Sequence, residues 1–220
     1  MRHQVGSCIL AMTGVLFATA VVPASSVAAE PLHLELVTHA SFFSQETKQP
    51  VPLDPQVFVR DPTAAPGLGP QGIKHVKGFR TLLLGDPAET KLYSATGKPL
   101  GFTAGKWLGA SGRVTITPDS KGGAEVTAML EGLKAGGVYS LFENHFDTKP
   151  ISFTPLDGTG TRNSFTAKRD GSATLTVHAP EVPTGVNAVL LVYHSDGKPH
   201  GESRGEVGVT AHHQLIAKVP

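Results

Sequence analysis

The stretch "NAVLLVYHSDGKPHGESRGEVGVTAHHQLIAKV", residues 187–219, decides the fold. It holds two apolar runs, 187–194 and 213–219, separated by a polar segment with glycines at 197, 201, 205 and 208. Two pairings are open to it. If "EVGVT" turned back directly, Glu206 would face His194, and His212 would lie roughly 20 Å further along the strand. If "HQLIAKV" pairs with "AVLLVYH", His194 comes opposite His212 or His213, and residues 195–211 form one long loop carrying His200. The second pairing matches apolar run to apolar run, and register follows that pattern where a face is buried. Glycine in such numbers also suits a loop better than a strand.

Similar short runs precede this pair. "LHLELVT" places Leu32, Leu34 and Leu36 on one face, and "RVTITP", "AEVTAMLEGL", "VYSLFENHF", "ISFTPL", "NSFTAK" and "SATLTVHAP" follow. Period-two alternation with turn signals about every ten residues is the pattern of an antiparallel sandwich. Asp157-Gly158, Asp170-Gly171 and Asp196-Gly197 sit where tight turns need positive φ. No dozen residues keep a 3.6 period with caps, so helix should be minor. The expected fold is therefore all-β, an antiparallel β-sandwich, Ig-like or jelly-roll-like.

Three segments follow from this reading. Residues 1–29 have the order of a signal peptide: a short polar start with Arg2 and His3, the apolar run "CILAMTGVLFATAVV", then "PASSVAA", with Val27 and Ala29 at the cleavage positions. Residues 30–104 hold N-terminal strands and a Pro/Gly-rich connection packed on the sandwich. Within it, Pro50, Pro52, Pro55, Pro62, Pro66 and Pro70 predict mostly loop or edge between residues 45 and 78, because Pro cannot donate to a sheet ladder. Residues 105–220 form the regular β-sandwich core.

Loss of Arg2 with the leader leaves 18 basic against 18 acidic residues, a neutral chain. That argues against nucleic acid as partner, and the chain lacks the basic amphipathic helix of a membrane-surface protein. The apolar run of the leader is too short for a membrane anchor, so no span is expected after its removal. The one cysteine, Cys8, leaves with it, so no disulfide is expected and the core alone must hold the fold. The expected location is periplasmic or secreted.

The chemistry worth weighing lies in the loop and its flanks. Under the preferred pairing, His194, His200 and one of His212 or His213 meet at a sheet end with Asp196 nearby. Imidazoles and a carboxylate suit copper or zinc, and Asp196 can instead orient a ligand imidazole. Adjacent strand residues face opposite ways, so His212 and His213 cannot both bind one ion unless a bulge intervenes. His145 with Glu143 joins the set if their strand is adjacent. A blue-copper site would need a thiolate, a histidine brace an N-terminal histidine where Glu30 is expected, and cupin-type sites a His-x-His, none of which the mature chain has.

The expected function is thus an exported, soluble, non-catalytic binding protein with a copper or zinc site drawn from His194, His200 and one of His212 or His213, with Asp196 nearby. The alternative is a metal-free extracytoplasmic interaction or structural module, whose partner is a protein or glycan. A third reading is a serine hydrolase, since "GESRG" fits G-x-S-x-G around Ser203, but no strand-to-helix turn surrounds it. Asp157 and Asn163 in "DGTGTRN" read as a hairpin turn rather than a calcium loop. Trp107, the sole tryptophan, is expected to close the core rather than bind a sugar. His33, His39, His75 and His178 carry no assigned role.

Overall fold

The structure, a computed structural model, describes Met1 and residues 30–220. The expected signal peptide lies outside the described residues. In chain order the elements are β1 (Leu32–Thr38), α1 (His39–Glu46), β2 (Leu53–Arg60), β3 (Gly67–Leu68), β4 (Lys74–His75), β5 (Phe79–Leu83), β6 (Lys91–Tyr93), β7 (Pro99–Thr103), α2 (Ala104–Leu108), β8 (Ser111–Pro118), β9 (Ala124–Glu131), β10 (Val138–His145), β11 (Ser152–Pro155), β12 (Ser164–Thr166), β13 (Ala173–Ala179), β14 (Asn187–His194) and β15 (Ala211–Lys218). The fold is all-β and sandwich-like, with two short helices. A nine-stranded antiparallel sheet runs β11-β10-β14-β15-β1-β8-β9-β13, with β12 also on β10, and curls into a half-barrel. A four-stranded sheet, β5-β2-β6-β7, packs against it. No helix among the described residues is long and apolar enough to cross a membrane.

The pairing of β14 with β15 follows the apolar runs. Leu190 faces Ile216, Leu191 faces Leu215, and His194 faces Ala211, so residues 195–210 form the loop. All eight residues of β14 are buried, as are all of β15 but Lys218. A strand covered on both faces reads as a continuous apolar run rather than an alternating one, which is how "NAVLLVYH" reads. On the inner face, Val189, Leu191, Tyr193, Leu215 and Ala217 join the main core with Trp107. On the outer face, Ala188, Leu190, Val192, Ala211 and Ile216 form a second core with Phe142, covered by Phe42, Phe146 and Phe153.

Two features depart from the sequence reading, and both are irregularities of strand pairing. Register shifts between Leu191 and Val192 leave Gln214 without a cross-strand partner. Simple alternation would place His213 with Leu215 and Ala217. The extra residue instead puts Gln214 and Leu215 toward the inner side together, and His213 shares the outer face with Ile216. The second departure is β2. "LDPQVFVR" is not loop: it is the buried strand that pairs with β5 and β6. Its register with β5 shifts between Asp54 and Phe58, and Pro55 occupies that irregularity, where no ladder donor is lost. Residues 61–78 carry only the two-residue strands β3 and β4 besides turns.

The helices are short and capped. Thr38 caps α1, its side chain accepting from the Ser41 N–H. Thr103 caps α2 in the same way and delivers Trp107 to the core at 1% exposure, so this tryptophan is a core residue.

Candidate functional site

The strand β15 places three polar residues, His212, His213 and Gln214, inside a buried sheet, and buried polar groups need partners. The irregularly paired part of β2 supplies most of them. The Gln56 side chain accepts from the His213 N–H (2.8 Å) through Oε1, and its Nε2 donates to Gln71 Oε1 (2.9 Å) while facing His213 Nδ1 (3.0 Å). The Gln56 carbonyl takes the His212 Nδ1–H (3.1 Å). Trp107 donates from Nε1 to Asp54 (2.8 Å), and Gln214 Nε2 donates to the Trp107 carbonyl (3.0 Å). Burial pushes the Asp54 carboxyl up to about 6, against the hydrogen bonds from Gln56 and Trp107.

On the inner face His212 is enclosed by Trp107 and Tyr193, with its Nε2 3.2 Å from the Ser195 hydroxyl. Nδ1–H thus has an acceptor, and Nε2 faces a hydroxyl whose single proton is shared with the Val209 carbonyl (3.0 Å). Burial lowers its pKa to about 4, so the ring is neutral at pH 7.

His213 lies on the outer face, edge-on to His39 (ring centroids 4.9 Å apart) and beside Phe153. Here α1, β10, β11, β15, Gln56 of β2, residues 71–73 and the 195–210 loop line an open-sided cavity of about 470 Å³. Phe42, Phe43, Phe146 and Phe153 supply its apolar wall. Arg204 enters from the loop with its Cζ 3.1 Å from the centre of the Phe153 ring, and Nη1 lies 3.0 Å from His213 Nε2. Among the described residues no carboxylate stands within ion-pair distance of Arg204. Desolvation lowers its pKa to about 10. His39 is driven to about 3 by burial and by Arg204, and burial also holds His213 well below 6.5. Two buried polar atoms of the cavity lining, His39 Nδ1 and Asn144 Oδ1, have no hydrogen-bond partner.

The loop that carries Arg204 is anchored. The Ser195 N–H donates to the Thr210 carbonyl (2.8 Å), and the Ala95 N–H to the Gly208 carbonyl (2.8 Å), tying the loop to the smaller sheet. The backbone of Gly160, at positive φ, lies so close to Gly201 that a Cβ there would not fit.

The residues expected to bind metal are divided by this geometry. His194 and His200 meet, their ring centroids 5.1 Å apart, with Asp196 3.1 Å from His200 Nε2. His194 Nε2 pairs with the Ser140 hydroxyl (2.8 Å), and its buried Nδ1 has no partner. His212 faces inward and His213 outward, so the two do not share a site. His145 lies at the far end of β10: it pairs with Asn187, while His194 pairs with Val138. That separation of seven strand residues is roughly 23 Å. Among the described residues no three His, Cys, Asp or Glu side chains are grouped to hold one ion. Ser203 Oγ accepts from the Gly205 N–H and makes no hydrogen bond to an imidazole among the described residues. The Asp157 carboxylate is taken up by the turn itself, accepting from the N–H groups of Thr159, Gly160, Thr161 and Arg162.

A second cavity, of about 510 Å³, opens beside α2 with Lys106, Lys134 and Arg169 on its walls. Lys134 is already committed, donating to the Leu100 carbonyl (2.7 Å) and the Tyr193 hydroxyl (3.0 Å). No family model, curated protein or solved structure matches the chain.

His39 and Arg204 were not singled out by the sequence. The signal that could have found them is "HHQ" set inside the apolar run of β15: a strand that must be buried yet carries three polar residues requires polar partners from elsewhere in the chain.

Proposed function

We propose that the chain is an exported, non-catalytic binding protein whose ligand is a small, mostly apolar molecule seated in the cavity between α1, β10, β11 and the 195–210 loop. Export rests on the leader-like order of residues 1–29. The observation that carries the binding reading is the pair of buried, unpartnered atoms, His39 Nδ1 and Asn144 Oδ1, in a cavity whose apolar lining includes four phenylalanines and whose polar lining includes Arg204 and His213. A buried polar atom left unpaired costs about 1–3 kcal/mol, a cost that a ligand hydrogen bond removes. A mostly apolar concavity with a few convergent polar groups is the usual form of a small-molecule site. Hydrogen–deuterium exchange with and without the neutral probe 4-phenylbutyramide tests this. Slowed exchange in residues 39–46 and 195–210 is expected; no change there overturns the reading.

The metal reading has one observation in its favour, the unpartnered Nδ1 of His194 beside His200. Two imidazoles with Asp196 behind His200 would offer copper or zinc an incomplete set, its remaining positions filled by water or a partner's side chain. Metal analysis of untagged protein, with His194→Ala and His200→Ala alongside, tests it. Stoichiometric metal lost in both variants supports it, and no metal in any sample removes it.

A further inference from the structure

The hydrogen bonds around His213 do not close. A neutral imidazole offers one N–H and one acceptor nitrogen. His213 meets an N–H donor at each nitrogen: Gln56 Nε2 at Nδ1 and Arg204 Nη1 at Nε2, both at 3.0 Å. The Gln56 amide is not free to turn over, because its Oε1 accepts from the His213 backbone and its Nε2 donates to Gln71. Once Nδ1 accepts from Gln56, the Nε2–H points at a guanidinium. Two donors then abut at 3.0 Å with no acceptor between them, and one of the donors is a cation without a counter-ion.

We infer that the cavity binds an organic carboxylate with an aromatic or alkyl body, one carboxylate oxygen displacing Arg204 Nη1 from its 3.0 Å contact with His213 Nε2 and bridging the two. This rests on the reading of the cavity as a ligand site and names the ligand's chemical class. The inserted oxygen accepts from Arg204 and from His213 together, which satisfies both donors and gives Arg204 its counter-charge. Phe153 holds the guanidinium plane from one side, so the approach for an anion is from the cavity. The body of the ligand lies against Phe42 and Phe146, and Asn144 Oδ1 is left for a hydroxyl or amino group further along the molecule. The acid of the lining, Glu46, is exposed and does not pair with Arg204.

The test is isothermal titration of the purified protein at pH 7 with 4-phenylbutyrate, 4-phenylbutyramide and 4-phenylbutylamine, together with octanoate and octanamide, repeated on Arg204→Gln. The acids are expected to bind about 10- to 100-fold more tightly than their amides, the range of a hydrogen bond to a charged group. Arg204→Gln is expected to erase that difference, the acids losing more affinity than the amides. Equal binding of acid and amide to the wild type, or tighter binding of the amine, overturns the carboxylate assignment and leaves the cavity reading standing. Failure of every probe to bind overturns both. Arg204 sits in a loop, and the thermal midpoint of Arg204→Gln shows whether the variant is folded. Histidine ¹⁵N shifts give an independent readout: 4-phenylbutyrate should move the His213 ring signals, and unmoved signals at saturation contradict the insertion.

Discussion

His212 and His213 are neighbours in sequence and occupy opposite faces of one sheet. The His212 ring points into the main core, where Trp107 and Tyr193 enclose it and its nitrogens face a carbonyl and a hydroxyl, neither of them an N–H donor. The His213 ring points outward, into a cavity, with donors at both nitrogens. Both rings are buried and neutral at pH 7, so exposure does not separate them. Completeness of the hydrogen bonding does. Inside the half-barrel Trp107 Nε1 donates to Asp54, Gln214 Nε2 to the Trp107 carbonyl and His212 Nδ1 to the Gln56 carbonyl, so that of this group only Gln214 Oε1 has no partner. On the outer face His39, Asn144, His213 and Arg204 are held in place but not satisfied.

The contrast can be broken in graded ways. Acid should have the largest effect. His39, His194 and His212 have folded-state pKa values of about 3, 4 and 4, and His213 lies well below 6.5. The unfolded chain takes up these protons near pH 6.5 and the folded chain does not, so their contribution is complete above pH 6.5 and is lost as pH falls toward 4. Asp54, raised to about 6, works the other way: its burial penalty is relieved on acidification between 6 and 4. Histidines outnumber it, and each contributes roughly 1.4 kcal/mol per pH unit in its window. Urea midpoints measured from pH 7.5 to 4.5 should therefore fall steeply below pH 6.5; a flat profile would mean these rings are not buried.

Truncating the inner network ranks next. Trp107→Ala should cost about 3–5 kcal/mol in urea unfolding, from the lost volume and from an Asp54 deprived of its donor. The neighbouring histidines then separate the faces directly. His212→Met takes the donor from the Gln56 carbonyl and should cost about 1–3 kcal/mol. His213→Met removes a group already in conflict with a donor and should change stability by less than about 1 kcal/mol. Similar costs for the two would erase the distinction. Asp196→Ala, which releases His200 at a partly exposed contact, should move the midpoint least, by about 0.5 kcal/mol or less.

Much of the frame was legible because it follows from local rules. The apolar runs of β14 and β15 paired as their composition required, and the Asp-Gly pairs at 157, 170 and 196 lie where glycine adopts positive φ. Trp107 went to the core because a large indole among small residues gains most from burial. The bulge at Gln214 was not legible: one extra residue in a ladder leaves no compositional trace, yet it decides which side chains share the face of His213. Pro55 misled for a related reason, since a proline at an irregular pairing costs nothing, and β2 reads as loop if every proline is taken to break a ladder. The outer site was invisible because its parts come from α1, β2, β10, β11 and the loop after β14. No spacing within one segment links His39, Gln56, Asn144, Arg204 and His213.

The most direct measurement is an experimental structure of the protein with 4-phenylbutyrate bound. The account predicts one carboxylate oxygen between Arg204 and His213, within hydrogen-bond distance of both, with the phenyl ring against Phe42 and Phe146. A carboxylate seated instead among Lys106, Lys134 and Arg169, with Arg204 still facing His213 across an empty cavity, would contradict it.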